Sequence, residues 1–214
     1  MQIISIINQK GGVGKTTTVI NLAAGLAQLE KKVLVIDLDP QGNATTGLGL
    51  SNLENSDETI YGVLNGSKSI SEVIKKTEIK NLDIITSNVD LSGLEVETAG
   101  DKKRAFILKV KLTPYLNDSR GSYDYILIDC PPSLSLLTVM ALASSHSLVV
   151  PLQTEFFALE GLTQLMKTIE RVKVSVNPEL RIRGILLTMY DKRNKLSSQV
   201  EKEARDYFNE KVYS

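Results

Sequence analysis

An apolar run, Ile3-Ile4-Ser5-Ile6-Ile7, gives way to Lys10-Gly11-Gly12-Val13-Gly14-Lys15-Thr16-Thr17, and a helical stretch is expected from Thr16 to Leu29. A strand that breaks into glycines and then opens a helix aims several backbone N–H groups at one point, with the helix dipole behind them. That arrangement marks a phosphate-binding loop, best suited to a triphosphate. The ordinary pattern, G-x-x-x-x-G-K-[ST], would need glycine where Gln9 stands, so this loop is a variant. What it carries instead is a second lysine at its front, Lys10. Lys15 is placed to reach the β- and γ-phosphates, and the Thr16 hydroxyl to ligate Mg2+. The Gly11-Gly12 turn should send the Lys10 side chain away from its own pocket, toward whatever faces the loop. Composition alone would make it a solvated surface lysine.

Short β-branched runs alternate with longer amphipathic segments, the pattern of a parallel sheet wrapped by helices. Strands are expected at Gln2–Asn8, Lys32–Asp37, Leu82–Thr86, Asp124–Asp129, Ser147–Leu152 and Arg181–Thr188. Helices should cover Thr16–Leu29, Lys103–Leu116, Ser135–Ala143, Leu159–Ser175 and Ser197–Phe208, with loops at Gln41 to Ser56 and Asn117 to Ser122. The 214 residues suit one α/β domain, 1–214, doubly wound around a mostly parallel β-sheet. Lys211-Val212-Tyr213-Ser214 reads as the entry to a further strand, so C-terminal elements are expected to be missing.

Twenty-five basic residues balance twenty-five acidic ones, so no global field draws the chain to nucleic acid or anionic lipid, and any such binding needs a local patch. One cysteine, Cys130, excludes an internal disulfide and a multi-cysteine metal or cluster site within one chain. With no basic-then-apolar leader and no apolar run of about 18 residues, a cytoplasmic protein is expected.

Two further segments carry carboxylates at strand ends. The second strand closes in Asp37-Leu38-Asp39-Pro40-Gln41-Gly42-Asn43, at the carboxyl edge where open α/β sheets bind ligands. Strand alternation sends Asp37 and Asp39 to the same side. Asp39 is the candidate to orient or deprotonate a water in line with the γ-phosphate, and Asp37 to support the metal's water shell. The structural alternative is that both cap a loop start. The strand Tyr125-Ile126-Leu127-Ile128 ends at Asp129-Cys130-Pro131-Pro132, the Walker B arrangement in which a carboxylate holds Mg2+ through water near Thr16. Cys130 itself reads as a small buried hydrophobe.

In this order the three pieces resemble the deviant-Walker ATPases, and within them the ParA/Soj partition ATPases. The likeness includes Asp37 to Thr45, Asp129-Cys130-Pro131-Pro132-Ser133-Leu134, Glu155-Phe156-Phe157-Ala158-Leu159-Glu160-Gly161-Leu162 and Leu186-Leu187-Thr188-Met189-Tyr190-Asp191, and it covers essentially the whole chain. The resemblance implies an ATP-sandwich homodimer in which Lys10 reaches the partner's phosphates, and it maps Asp39 to the water-activating aspartate. It implies slow hydrolysis stimulated by a ParB-type partner, non-specific binding to double-stranded DNA with release after hydrolysis, and a nucleoid-associated role in chromosome or plasmid segregation. The family continues into a Pro-Arg-Asn segment that contacts adenine, further basic residues and a closing helix, which this sequence lacks.

Arg193 matches a family position implicated in DNA contact. Lys192 and Lys195 beside it, and Lys211, could extend a patch whose contacts would be strongly salt-dependent. Without the family, that loop is ordinary solvated surface. Lys102-Lys103-Arg104 with Lys109 and Lys111 is a weaker cluster. His146 is read as structural, and Phe156-Phe157 as core or interface packing. A MinD-like division ATPase would need a terminal amphipathic membrane helix, which is not seen, so no stable membrane association is expected. A nitrogenase-type reductase would need paired cysteines. A signal-recognition GTPase would need an Asn/Thr-Lys-x-Asp clamp where Thr188-Met189-Tyr190-Asp191 stands. An ATP-binding adaptor with negligible turnover is the remaining reading.

Overall fold

Along each central strand, alternate residues enter two different cores, and this two-sided burial organises the molecule. Ile3, Leu34, Ile36, Ile126 and Ile128 pack on one face of the sheet, while Ile4, Ile6, Val33, Val35 and Leu127 pack on the other. The structure, a computed structural model, describes residues 1–50, 56–117 and 123–213. Seven strands form one sheet: β1 (Gln2–Ile6), β2 (Val33–Asp37), β3 (Ile74–Lys76), β4 (Leu82–Ile85), β5 (Tyr125–Asp129), β6 (Ser147–Gln153) and β7 (Arg181–Thr188). Their order is β3-β4-β2-β5-β1-β6-β7, and every pairing is parallel except the antiparallel β3–β4 edge.

The helices are α1 (Lys15–Gln28), α2 (Asn43–Gly47), α3 (Ile60–Asn65), α4 (Ile70–Val73), α5 (Leu94–Glu97), α6 (Ile107–Asn117), α7 (Leu136–Ser144), α8 (Ala158–Ser175) and α9 (Lys195–Phe208). One face of the sheet is covered by α1 through Val19, Ala23 and Ala27, with Ala44 of α2. The other is covered by α3, α6, α7, α8 and α9, through residues such as Val63, Leu112, Met140, Ile169 and Val200. The doubly wound α/β class is therefore present. Chain direction diverges at β1: the connection after it leads toward β2 and β4, whereas β6 and β7 lie on its other side. The carboxyl end of β1 is thus the topological switch point, where open sheets of this kind take ligands.

All six expected strands are found, Arg181–Thr188 with the bounds expected and the other five with an end shifted by one or two residues. The edge strand β3 is not among the expected strands: Ile74-Lys75-Lys76 is short and two of its three residues are charged, which suits an edge but lacks a strand's alternating signal. The expected helix Lys103–Leu116 begins later, at Ile107, after a 3-10 turn over Arg104–Phe106. The expected loop Gln41 to Ser56 contains α2, with residues 51–55 outside the described ones, and the loop expected at Asn117 to Ser122 falls almost wholly outside them. At the other end Val212 forms a parallel bridge with Ile185, and the Tyr213 N–H donates to the Ile185 carbonyl at 3.0 Å, so the expected strand entry is there. Ser214 lies outside the described residues.

Gly62 in α3 shows how tightly the β4 side is packed. A Cβ at this position would sit 2.1 Å from the Asp57 carbonyl oxygen, a backbone atom that cannot swing aside. Gly62→Ala is expected to destabilise the fold by about 1–3 kcal/mol, read as a lowered denaturation midpoint. An unchanged midpoint would show that the Asp57 turn yields freely.

Candidate nucleotide-binding site

The loop between β1 and α1 is shaped by its glycines. Gly12 and Gly14 have φ of 75° and 88°, the left-handed region in which a side chain is strained. Gly14 is also the N-cap of α1, and no side chain caps that helix or places an acid in its first turn. The helix therefore presents a bare, electropositive N-terminus to the space above the loop. From across the sheet, the Thr188 hydroxyl at the end of β7 donates to the Val13 carbonyl at 2.8 Å and fixes the loop's middle.

Lys15 is 7% exposed, and its ammonium donates to the Lys10 carbonyl at 3.0 Å, so it lies along the loop. Burial lowers its pKa, while the nearby charges of Asp129 and Asp39 act to raise it. Lys10 ends elsewhere. Its ammonium forms an ion pair with Glu155, on the connection between β6 and α8.

Asp37 and Asp129 are register partners on β2 and β5, and the alternation that sends Val35 and Leu127 to the α1 face sends both carboxylates there too. Their circumstances differ. Asp37 accepts from the Thr45 N–H at 2.8 Å, the Thr45 hydroxyl at 2.7 Å and the Asp39 N–H at 3.2 Å. It thus caps α2 from outside and orders the loop, as the loop-capping alternative had it. Burial, more than these bonds, governs its carboxyl and pushes the pKa up to about 6. Asp129 is fully buried, and among the described residues neither of its oxygens has a hydrogen-bond partner. Burial first, then the charge of Asp37, raises its pKa to about 7. The Thr16 hydroxyl is near enough to oppose that rise without reaching hydrogen-bond geometry.

A wholly buried carboxylate with both oxygens open, beside a hydroxyl and a phosphate loop, is what a magnesium ion with its water shell would use. Among the described residues no group of three or more His, Cys, Asp or Glu could hold a metal ion. Magnesium keeps several waters and takes few protein ligands beside phosphate oxygens, so its site does not require such a group. The residues present, Thr16 and Asp129, fit the ion.

Asp39 is 6% exposed and accepts from the Gln41 N–H at 3.0 Å, and its own carbonyl accepts from Gly42 at 2.9 Å. Its other carboxylate oxygen has no hydrogen-bond partner among the described residues. Asp39, Asp129 and Lys15 are thus brought to one place, and Asp37 holds the loop that carries Asp39.

The remaining candidates lie elsewhere. Arg193 is highly exposed, and its guanidinium makes a two-point contact with Asp191, at 3.0 and 2.9 Å. Lys192 and Lys195 are exposed beside it. His146 accepts at Nδ1 from the Ile3 N–H at 3.0 Å, a structural bond, and Cys130 is buried, which pushes its thiol pKa up. Phe156 and Phe157 are 77% and 65% exposed, so they do not belong to the core of this chain. A depression of about 570 Å³ lined by His146, Arg181 and Arg183 lies at the opposite end of the strands from the loop. Thr188, Glu155 and Thr45 were not singled out from sequence as site residues: Thr188 and Glu155 act through partners far away in the chain, and Thr45 meets Asp37 only because α2 turns it back.

The profile of a family described as an AAA domain matches residues 1–182. The chain is 51% identical over 213 residues to the chromosome partitioning protein ParA of Caulobacter vibrioides, covering 100% of this chain and 79% of that protein. It is 47% identical over 212 residues to the sporulation initiation inhibitor protein Soj of Bacillus subtilis, covering 99% of this chain and 82% of that one. Among solved structures, a cobyrinic acid a,c-diamide synthase from Mycobacterium smegmatis with a bound ATP analogue and magnesium superposes with a TM-score of 0.89 at 35% identity, over 98% of this chain and 81% of that one. No helix among the described residues is long and apolar enough to cross a membrane. With half its residues identical to a ParA protein along its whole length, and a phosphate loop and strand-end aspartates on the matching fold, the chain belongs to the ParA/Soj family of chromosome-partitioning ATPases.

Proposed function

We propose that the chain is a slow Mg-dependent ATPase that closes into an ATP-sandwich homodimer, holds double-stranded DNA without sequence preference, and releases it when a ParB-type partner stimulates hydrolysis. In this reading all 214 residues form one ATPase domain that works in the cytoplasm on the nucleoid. The observation that carries it is the pair of lysines on one loop, with Lys15 lying along the loop and Lys10 reaching outside it. One lysine serves the chain's own phosphates and leaves the other for phosphates that face it.

The backbone of Gly11, Gly12, Val13 and Gly14 and the first turn of α1, at Thr16 and Thr17, cradle the phosphates, and Lys15 neutralises charge on the β- and γ-groups. Thr16 and Asp129 would hold a magnesium ion bound with the nucleotide, which would supply further charge neutralisation, and Asp37 orders the neighbouring loop. Asp39 orients the attacking water through the oxygen not taken by Gln41. DNA phosphates are taken by Arg193 with Lys192 and Lys195. Because Arg193 is engaged by Asp191, a DNA phosphate must displace that carboxylate, which keeps the affinity modest.

The test is retention of Asp39→Ala on a non-specific duplex at low salt, with ATP and with ADP. Retention is expected with ATP only, and Arg193→Ala should weaken it on every sequence and reduce the salt slope by about two units, one for each protomer of the dimer. No retention with either nucleotide would favour a MinD-like role away from DNA, and equal retention with both would mean that DNA contact does not depend on the ATP-bound dimer.

A further inference from the structure

Lys10 is the residue by which one copy would reach another, so what holds it within a single chain bears on when it can do so. Its backbone N–H donates to Asn8 Oδ1 at 3.0 Å, and the Asn8 amide donates to the Pro151 carbonyl at 2.7 Å, which ties the front of the loop to β6. Its ammonium is paired with Glu155 Oε1. Glu155 is presented from a rigid connection. Its N–H donates to the Gln153 carbonyl at 2.9 Å, and its own carbonyl accepts from the Ala158 N–H at 3.1 Å where α8 begins. The preceding Thr154 hydroxyl contacts the Met189 carbonyl at 3.3 Å and the Ser197 hydroxyl at 3.0 Å.

Three features make this pair more than an incidental surface contact. The Lys10 carbonyl is the acceptor for the Lys15 ammonium, so a phosphate that takes Lys15 also loosens the backbone of Lys10. The side chains of Lys10 and Glu155 are 51% and 29% exposed, so the pair is screened and easily exchanged for a better anion. Next along the chain from Glu155 stand Phe156 and Phe157, both exposed and packed edge to face at 5.1 Å, an uncovered aromatic pair on the same connection. A second copy that brought phosphates to Lys10 would meet this connection.

We propose that Glu155 is a positioning residue that parks Lys10 within its own chain, and that ATP-dependent dimerisation exchanges the Glu155 carboxylate for the partner's phosphates. The proposal rests on the sandwich-dimer reading and adds to it a brake on premature association. The contrary possibility is that Glu155 keeps hold of Lys10 across the interface and aims it, in which case removing the carboxylate weakens the dimer.

Two measurements separate these. In the chain without nucleotide, a short pulse of reductive methylation read by peptide mass is expected to label Lys10 about threefold faster in Glu155→Gln than in the parent, with Glu155→Asp close to the parent. An unchanged rate overturns the latch whatever the dimer does. In the Asp39→Ala background with Mg-ATP, sedimentation should show Glu155→Gln dimerising about three- to twentyfold more tightly, since two surface ion pairs are released per dimer. That gain should vanish when Lys10→Ala is added, which a merely structural role of Glu155 would not produce. A weaker or equal dimer, or a gain that survives Lys10→Ala, overturns the proposal. A parent that stays monomeric in Mg-ATP sinks the sandwich reading and with it the exchange step, while the labelling result still decides whether Glu155 holds Lys10.

Discussion

Asparagine in place of Asp129 is expected to make the nucleotide-free protein more stable at pH 8, by about 2–4 kcal/mol, while lowering Mg-dependent ATP hydrolysis by about 10²–10³-fold. The carboxylate is fully buried with both oxygens unpartnered among the described residues, and its pKa in the fold is pushed from 3.8 to about 7. A raised carboxyl pKa means that between those values the native state keeps a proton the unfolded chain has lost. Stability therefore falls as pH climbs through that window, at up to about 1.4 kcal/mol per unit, and below pH 4 the residue costs nothing. Asparagine has the same shape and no charge to bury, so its advantage should be absent at pH 4 and complete near pH 8. Asp37, raised to about 6, runs in the same direction but remains in both proteins. His146 runs in the opposite direction, since burial lowers its pKa and its neutral form is the one the fold prefers. Comparing variant with parent cancels His146 and leaves the Asp129–Asp37 pair, which titrates as a unit. Urea midpoints at three pH values make the check. A variant advantage that does not change between pH 4 and pH 8 would mean that Asp129 is already neutralised by a neighbour, and the magnesium assignment would lose its physical basis.

The parts of this molecule that could be read from sequence are those whose signal is local. The phosphate loop, the two aspartate-ended strands and the six parallel strands are each written in fewer than a dozen consecutive residues, through glycine placement, β-branched runs and strand-end carboxylates. The alternation that places Asp37 and Asp129 on one face is likewise a consequence of strand period. What stayed hidden is either short or distant. The edge strand β3 has only three residues, two of them lysines, and α2 to α5 each have six residues or fewer, too few for a helical period to register. The partners Thr188–Val13 and Lys10–Glu155 are joined by topology alone, across most of the chain. Asp37 shows the subtler limit. Its position at the carboxyl edge was legible, but whether it faces a metal's water shell or caps a loop depended on where Thr45 would fall, and α2 sets that.

Asp39→Ala is the counterpart, a change expected to remove chemistry with little loss of fold. Turnover with Mg-ATP should drop about 10²–10⁴-fold, the range a positioned acid–base group supplies, with nucleotide affinity held within about threefold. The Asp39 carboxylate accepts one hydrogen bond from its own loop, that of the Gln41 N–H, so its loss costs about 0.5–1.5 kcal/mol and the melting transition should move only slightly. Asp37→Ala provides the contrast. It forfeits three hydrogen bonds that hold Thr45 and Asp39, and should lose activity together with the order of α2 and a larger share of stability. If Asp39 acted only as a loop anchor, the two variants would resemble each other, each losing stability in proportion to rate. If it orients the water, Asp39→Ala separates the two quantities: kcat falls, KM stays, and the nucleotide-bound state persists. Steady-state kinetics paired with thermal melts of both variants decide the matter, and a residual rate above about a tenth of the parent's would move the role of water activation to another residue.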